Sequence, residues 1–199
     1  SYVVKGKEGF TALLDFDSKT GDRNSQDAVL AIEEYIKQNT TRIGDDLSPE
    51  NAAAALVGLL QGIESDVIKA RGADLTASAT LVKILRKKSE DAAEAVIAQL
   101  GNTRAYVARA NGELELLTSD STDKLGTGAD KAVALFTGLF PGDRLLFATY
   151  GAHDKLTLDQ LRIILKDPES KKKNEAAAKR ILEEAVKAGS VDDRTAIVV

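Results

Sequence analysis

A chain of 199 residues with 43% hydrophobic and 29% charged residues has the make-up of a single globular domain spanning 1–199. Lys and Arg number 27 against 31 Asp and Glu, a formal charge of −4, which argues against nucleic acid as a partner because that binding runs on clustered basic groups. No stretch approaches the ~20 consecutive apolar residues that cross a bilayer, and the absence of cysteine removes disulfides, thiolate metal sites and cysteine nucleophiles together.

The elements follow in chain order. Tyr2-Val3-Val4 and Phe10 to Leu14 read as two strands around the turn residues Lys5 to Gly9, with Asp15 closing the second. A polar loop from Asp17 to Arg23 leads to a helix capped by Asn24 or Ser25, in which Ala28, Val29, Ile32 and Ile36 recur at helical spacing. Ser48 is the expected N-cap of the next helix, with Pro49 at its first position. Its apolar stripe runs through Ala55, Leu56, Leu59, Leu60, Ile63, Val67 and Ile68, and Gly72 is the stop. Thr76 to Leu85 fits strand or helix, whereas Glu90 to Leu100 reads as helical from its alanines and glutamates.

Arg104 to Arg109 and Glu113 to Thr118 alternate on either side of Asn111-Gly112, the signature of a hairpin. Leu125 to Leu139 is expected to hold a short helix, Pro141-Gly142-Asp143 a turn, and Arg144 to Thr149 a buried strand. Thr157 caps a helix reaching Lys166, and a polar, lysine-rich connection spans Pro168 to Asn174. A helix over Glu175 to Ala188 then stops at Gly189-Ser190, and Thr195 to Val199 is a closing strand. Strands alternating with paired helices imply sheets covered by helices.

The only histidine, His153, argues against Ser-His-Asp triads and multi-His zinc sites. Chemistry is left to carboxylates, hydroxyls, Lys, Arg and backbone groups. With no methionine, Ser1 reads as a processed or trimmed end, and with no signal peptide the cytoplasm is the expected location.

Five segments stand out: Ala12-Leu13-Leu14-Asp15-Phe16, Gly101-Asn102-Thr103-Arg104-Ala105-Tyr106, Leu117-Thr118-Ser119-Asp120-Ser121, the run from Pro141 to Gly151, and the run from Val191 to Val199. In that order they resemble motifs of the metal-dependent PPM-type (type 2C) Ser/Thr protein phosphatases. The corresponding family motifs are Val-Ala-Asp-Gly, Gly-Asp-Ser-Arg-Ala-Tyr, Leu-Thr-x-Asp-His, Pro-Gly-Asp-x-Leu-Leu-Leu-Cys-Ser-Asp-Gly and x-Asp-Asn-x-Thr-x-Ile-Val-Val. The resemblance implies an α+β fold, a four-layer α-β-β-α sandwich of two antiparallel sheets flanked by helix pairs. It therefore also implies strands over Thr76–Leu85 and Ala93–Leu100, against their propensity.

The resemblance further implies phosphoester hydrolysis by a water shared between two Mg²⁺ or Mn²⁺ ions, which want hard oxygen ligands. Carried over residue by residue, Asp15 falls on the ligand shared by both metals, Phe16 offers the neighbouring carbonyl, and Asp192 matches the acid of the closing motif. Tyr150 replaces the acid of Ser-Asp-Gly, and a neutral phenol, with a pKa of about 10, is a poor ligand for a hard cation. The glycines after the first Asp give way to Phe16-Asp17-Ser18-Lys19, Asn102 replaces an Asp, and the Asp120–Leu139 region is short for the family's flap. The family's N-terminal strand motif, with a further Asp and a phosphate-binding Arg, would precede Ser1.

The expectation is thus a degenerate domain, a pseudophosphatase with no assignable catalytic residue and with Mg/Mn absent or weakly bound. It would act by binding a protein or phosphopeptide partner; its oligomeric state is open. The alternative is an active Mg/Mn-dependent Ser/Thr phosphatase completed by residues upstream of Ser1. Asp17 and Asp22 are candidate replacement carboxylates, and Asp193 reads as a turn residue. Tyr150 reads as a packing residue filling an ion's volume, His153 as a surface residue, and Lys166 with Lys171-Lys172-Lys173 as a solvated face. Arg104 and Arg109 are expected in surface ion pairs.

Overall fold

Strands with apolar residues on both faces need cover on both sides. In the computed structural model, which describes residues 2–5, 9–18, 23–41, 43–86 and 92–199, two antiparallel sheets supply that cover by packing face to face, with helices outside. The strands are β1 (Tyr2–Lys5), β2 (Phe10–Ser18), β3 (Leu75–Arg86), β4 (Ala93–Leu100), β5 (Arg104–Ala108), β6 (Leu114–Leu116), β7 (Val133–Leu139), β8 (Arg144–Ala148) and β9 (Ala196–Val198). One sheet has the order β1-β2-β3-β4-β7 and the other β6-β5-β8-β9. Helices α1 (Arg23–Thr40) and α2 (Pro49–Gly62) cover the first sheet. The second is covered by α3 (Tyr150–His153), α4 (Leu158–Lys166) and α6 (Asn174–Lys187), and the short α5 (Pro168–Lys172) packs beside α4 and α6. The expected α-β-β-α layering is the observed one.

The period-two alternation of the strands sorts side chains into three apolar layers. Phe10, Ala12, Leu14, Ala79 and Leu81 meet Ile32, Ile36, Leu56 and Leu60 beneath the first helix pair. Leu13, Val82, Ile97, Val107, Leu145 and Phe147 fill the space between the sheets. Tyr106, Leu146 and Ala148 meet Leu161, Ile164 and Ile181 on the far side.

Several local expectations are corrected. Ala93–Leu100 is the strand that the resemblance implied, against the helical propensity of Glu90 to Leu100; β3 and β4 are central strands buried on both faces, so tertiary packing overrides the propensity of their alanines and glutamates. Leu125–Leu139 holds no α-helix: after one 3₁₀ turn, Ala129–Lys131, the chain becomes β7, paired with β4 over Val133–Leu139. Asp15 lies inside β2, opposite Ser78 of β3, and the strand runs on to Ser18. Helix α1 begins at Arg23, so Asn24 and Ser25 lie within it instead of capping it. The lysine-rich connection forms α5, started by Pro168 and by the Asp167 carboxylate accepting from Glu169 N (3.0 Å) and Ser170 N (3.4 Å). Residues 6–8, 19–22 and 87–91, which include the first turn, Asp22 and Glu90, lie outside the described residues.

One carboxylate ties the two ends of the first sheet's cover together. Past Gly62, α2 widens into a π-helical segment, Ile63–Lys69, and this turns Glu64 inward to 6% exposure. Its Oε2 accepts from the backbone N–H groups of Gly126 (3.0 Å), Gly128 (3.2 Å) and Ala129 (2.9 Å), while Lys69 donates to Oε1 at 2.5 Å. Burial alone would raise the Glu64 pKa, but Lys69 and the backbone donors outweigh it and hold the carboxyl below its ordinary value. Leu125 is in turn bonded both ways to Ala77 of β3, at 3.2 and 2.9 Å. Glu64→Ala leaves the Gly126 and Ala129 N–H groups without an acceptor, while Gly128 N keeps the Lys124 carbonyl at 2.9 Å, and it is expected to cost about 3 kcal/mol; urea unfolding checks this. Because the folded pKa is depressed, the Glu64 contribution is present above the ordinary pKa of 4.5 and is lost as pH falls through the folded value.

Candidate functional site

The space between the sheets changes character along its length. Beyond the apolar layer, the buried side chains become Ser78, Thr80, Gln99 and Thr103. Thr80 and Thr103 bond hydroxyl to hydroxyl at 2.8 Å, and Ser78 donates to Asn102 Oδ1 at 2.8 Å while accepting from Asn102 N at 3.3 Å. The chain crosses from β4 to β5 here through Gly101, which has φ +88°; a Cβ there would stand 2.3 Å from Ser78 Oγ. Only glycine combines that backbone with so close an approach.

At this polar end a cleft of about 410 Å³ opens. Asp15, Phe16 and Asp17 enter from β2, Ser78 from β3, and Asn102 from the crossover. Tyr150 comes from the start of α3, Val191, Asp192 and Asp193 from the loop before β9, and Lys124 from the segment fastened by Glu64. The loop before β9 is bound closely to α3: Ser190 Oγ donates to Gly151 O at 2.7 Å, and Thr195 N donates to Thr149 Oγ1 at 2.9 Å. A Cβ on Gly151 would meet Asp193 O at 2.5 Å and Asp192 Cβ at 2.9 Å, so glycine is what lets Asp192 and Asp193 reach the rim.

The cleft is electrostatically unbalanced. Four carboxylates line it, and among its described lining residues Lys124 is the single cation, with Nζ 3.6 Å from Asp17 Oδ2. Burial pushes the Asp15 carboxyl above the usual range; Asp193 and Asp17 push it the same way, and Lys124 opposes them. Beneath the cleft, His153 is buried, which corrects its reading as a surface residue. Its Nε2 donates to Asn102 O at 3.0 Å, Nδ1 meets no partner among the described residues, and burial lowers its pKa. Tyr150, read from sequence as a packing residue filling an ion's volume, is 41% exposed, its ring set edge-on to His153 with centroids 5.7 Å apart.

Comparison of the whole fold with solved structures gives a consistent answer. The chain is similar to a bacterial serine phosphatase, with a TM-score of 0.75 at 17% identity, covering 99% of this chain and 88% of that one. It is also similar to the Mycobacterium tuberculosis serine/threonine phosphatase PstP/Ppp, at 0.70 and 18%, covering 99% and 89%. A structure of the PstP catalytic domain in complex with two manganese ions matches at 0.71 and 19%, again over 99% and 89%. The fold is that of the PPM-type Ser/Thr phosphatases. The sequence itself matches no protein-family model and no curated protein.

The PPM fold thus brings Asp15, Phe16, Asp192 and Tyr150, far apart in sequence, to one cleft, with Asp17 beside them. Among the described residues no three Asp, Glu or His side chains gather closely enough to hold an ion, and Tyr150 and Asn102 offer neutral oxygens where hard cations favour carboxylates. Arg104 and Arg109 are engaged elsewhere, Arg104 with both oxygens of Asp120 at 2.8 and 2.7 Å and Arg109 with Asp143 at 3.0 Å and Glu115 at 3.3 Å. Lys166 lines a second cleft of about 370 Å³, at the other end of β5 and β8. Lys172 pairs with Glu169 at 2.7 Å.

Sequence reasoning missed Glu64, Ser78 and Lys124. A signal existed for Glu64, because it interrupts the stripe of Leu60, Ile63, Val67 and Ile68 where a solvated carboxylate has no place. A carboxylate whose folded pKa is raised binds more protons folded than unfolded, so Asp15 costs stability at neutral pH, and the cost fades as pH falls through the raised value toward 3.8. Asp15→Asn is therefore expected to raise Tm at about pH 7 and to change it little at about pH 4. Thermal scans at both pH values decide the matter; an offset that ignores pH contradicts the charge account.

Proposed function

We propose that this chain is a degenerate PPM-fold domain, a pseudophosphatase that works by binding a protein partner and not by hydrolysing phosphoesters. The observation that carries the reading is Tyr150 at the rim of the cleft, where the Ser-Asp-Gly motif would place a carboxylate. Asp15, the Phe16 carbonyl and Asp192 are what remains of the motif-borne ligand set, and Tyr150 leaves one of its positions without the carboxylate that a hard cation favours. Mg/Mn binding is accordingly absent or weak.

The same cleft disfavours a phosphoryl group. Without divalent ions, four carboxylates against one ammonium repel an approaching phosphate, so a protein surface suits this rim better than a phosphopeptide does. No helix among the described residues is long and apolar enough to cross a membrane, and we take the cytoplasm as the working location.

The purified protein is expected to hydrolyse p-nitrophenyl phosphate no faster with Mn²⁺ than without it. A Mn²⁺-dependent rate that collapses in Asp15→Ala would establish the active-enzyme reading instead. Tyr150→Asp restores a carboxylate at an exposed position and is expected to raise Mn²⁺ affinity about tenfold, equivalent to about 1.4 kcal/mol, as read by calorimetric titration. A partner retained by the parent and released by Asp192→Lys combined with Asp193→Lys places the contact at this cleft.

A further inference from the structure

Lys124 belongs to no motif that resembles the phosphatases, yet it is the cation held among the acids. Its Nζ lies 3.6 Å from Asp17 Oδ2, its side chain is only 31% exposed, and it lines the same cleft as Asp15, Asp192 and Asp193. Its placement is fixed by more than that contact. The Lys124 carbonyl accepts from Thr127 N at 3.1 Å and from Gly128 N at 2.9 Å. The next residue, Leu125, forms a two-bond bridge with Ala77 of β3, which pairs with Phe16 and directly precedes Ser78, the strand partner of Asp15. Glu64 then clamps the N–H groups of Gly126, Gly128 and Ala129. A lysine on so firmly bonded a segment is delivered to the cleft by the fold and not by chance rotamers of a loose loop.

We infer that Lys124 is a built-in counter-cation, its ammonium doing for the Asp15–Asp17–Asp192–Asp193 cleft what divalent ions would otherwise do, and keeping those ions out. The inference rests on the degenerate reading above and adds the group responsible for it. A tethered ammonium brings one positive charge without the entropy cost of capturing a free ion. It also repels a second cation, since a Mn²⁺ ion entering the same carboxylates would sit beside a like charge. Because one ammonium faces four carboxylates, the compensation is partial.

The test is calorimetric titration of Mn²⁺ into the full chain and its Lys124→Gln, Lys124→Glu and Lys124→Arg variants, paired with thermal scans in EDTA and in Mn²⁺. Lys124→Gln is expected to bind Mn²⁺ about tenfold more tightly than the parent, and Lys124→Glu more tightly still. Lys124→Arg, which keeps the charge, is expected to behave as the parent does. In EDTA, Lys124→Gln should melt at a lower temperature than the parent, and Mn²⁺ should restore it, a rescue that a merely packing role for the lysine stem would not produce. Unchanged Mn²⁺ affinity in both Lys124→Gln and Lys124→Glu overturns the role of Lys124 and leaves the degenerate reading standing. A parent that itself binds two Mn²⁺ ions tightly overturns the degenerate reading whatever the variants do.

Discussion

Carboxylates repel one another, and β2 together with the loop before β9 brings four of them to one rim. Two unit charges about 4 Å apart interact by about 4 kcal/mol where the effective dielectric constant is about 20. That is a large share of the roughly 5–15 kcal/mol that separates a folded domain from its unfolded chain. A cleft of this kind must neutralise some of its acids, hold cations, or lose acids from its sequence. Its contents are best understood as a solution to that constraint.

The fold imposes the constraint through its register. Pairing Asp15 with Ser78 places both in the row that includes Leu13, Thr80 and Val82, the row facing the second sheet. Midway along, that row is apolar and sealed; toward Asp15 it becomes hydroxyls and amides, each satisfied by a neighbour across the crossover. The switch from an apolar to a hydrogen-bonded seam is what lets water reach one end of a β-sandwich without unfastening it. Gly101 and Gly151 mark the two places where backbones must approach more closely than any side chain permits.

Much of this was legible before any coordinates. Ser48 and Pro49 at the start of α2, the Thr157–Gln160 capping box at α4 and Gly189 after α6 act through contacts a few residues long, which local sequence encodes. The hairpin at Asn111-Gly112 was equally plain, although it closes as a three-residue loop, with Gly112 N donating to Arg109 O at 2.8 Å. Local propensity points the wrong way for β4, which only the resemblance made a strand, and for β7, because their strand character comes from neighbours: β4 lies between β3 and β7, and β7 pairs with β4. At the site, Asp15, Phe16, Asp192 and Tyr150 were found through motif resemblance, which periodicity could not have supplied. Lys124 escaped because its place depends on Glu64, 60 residues away, and no local pattern couples the two.

The substitutions at the rim share one direction. Where the PPM motifs carry an Asp, this chain has the neutral Asn102 and Tyr150, and into the same cleft it brings the positive Lys124. Each of these groups leaves the cleft less negative than a carboxylate in its place would. None of the three supports the core: Tyr150 and Asn102 are at least partly exposed, and Lys124 extends from a segment held by Glu64 and Ala77. Acids gathered to serve a metal centre strain a protein without one, so replacing them costs the architecture little. The groups that build the cleft, Gly101, Gly151, Thr149 and Ser190, are a separate set and stay in place. A β-sandwich of this kind can therefore keep its shape while the charges at its rim vary.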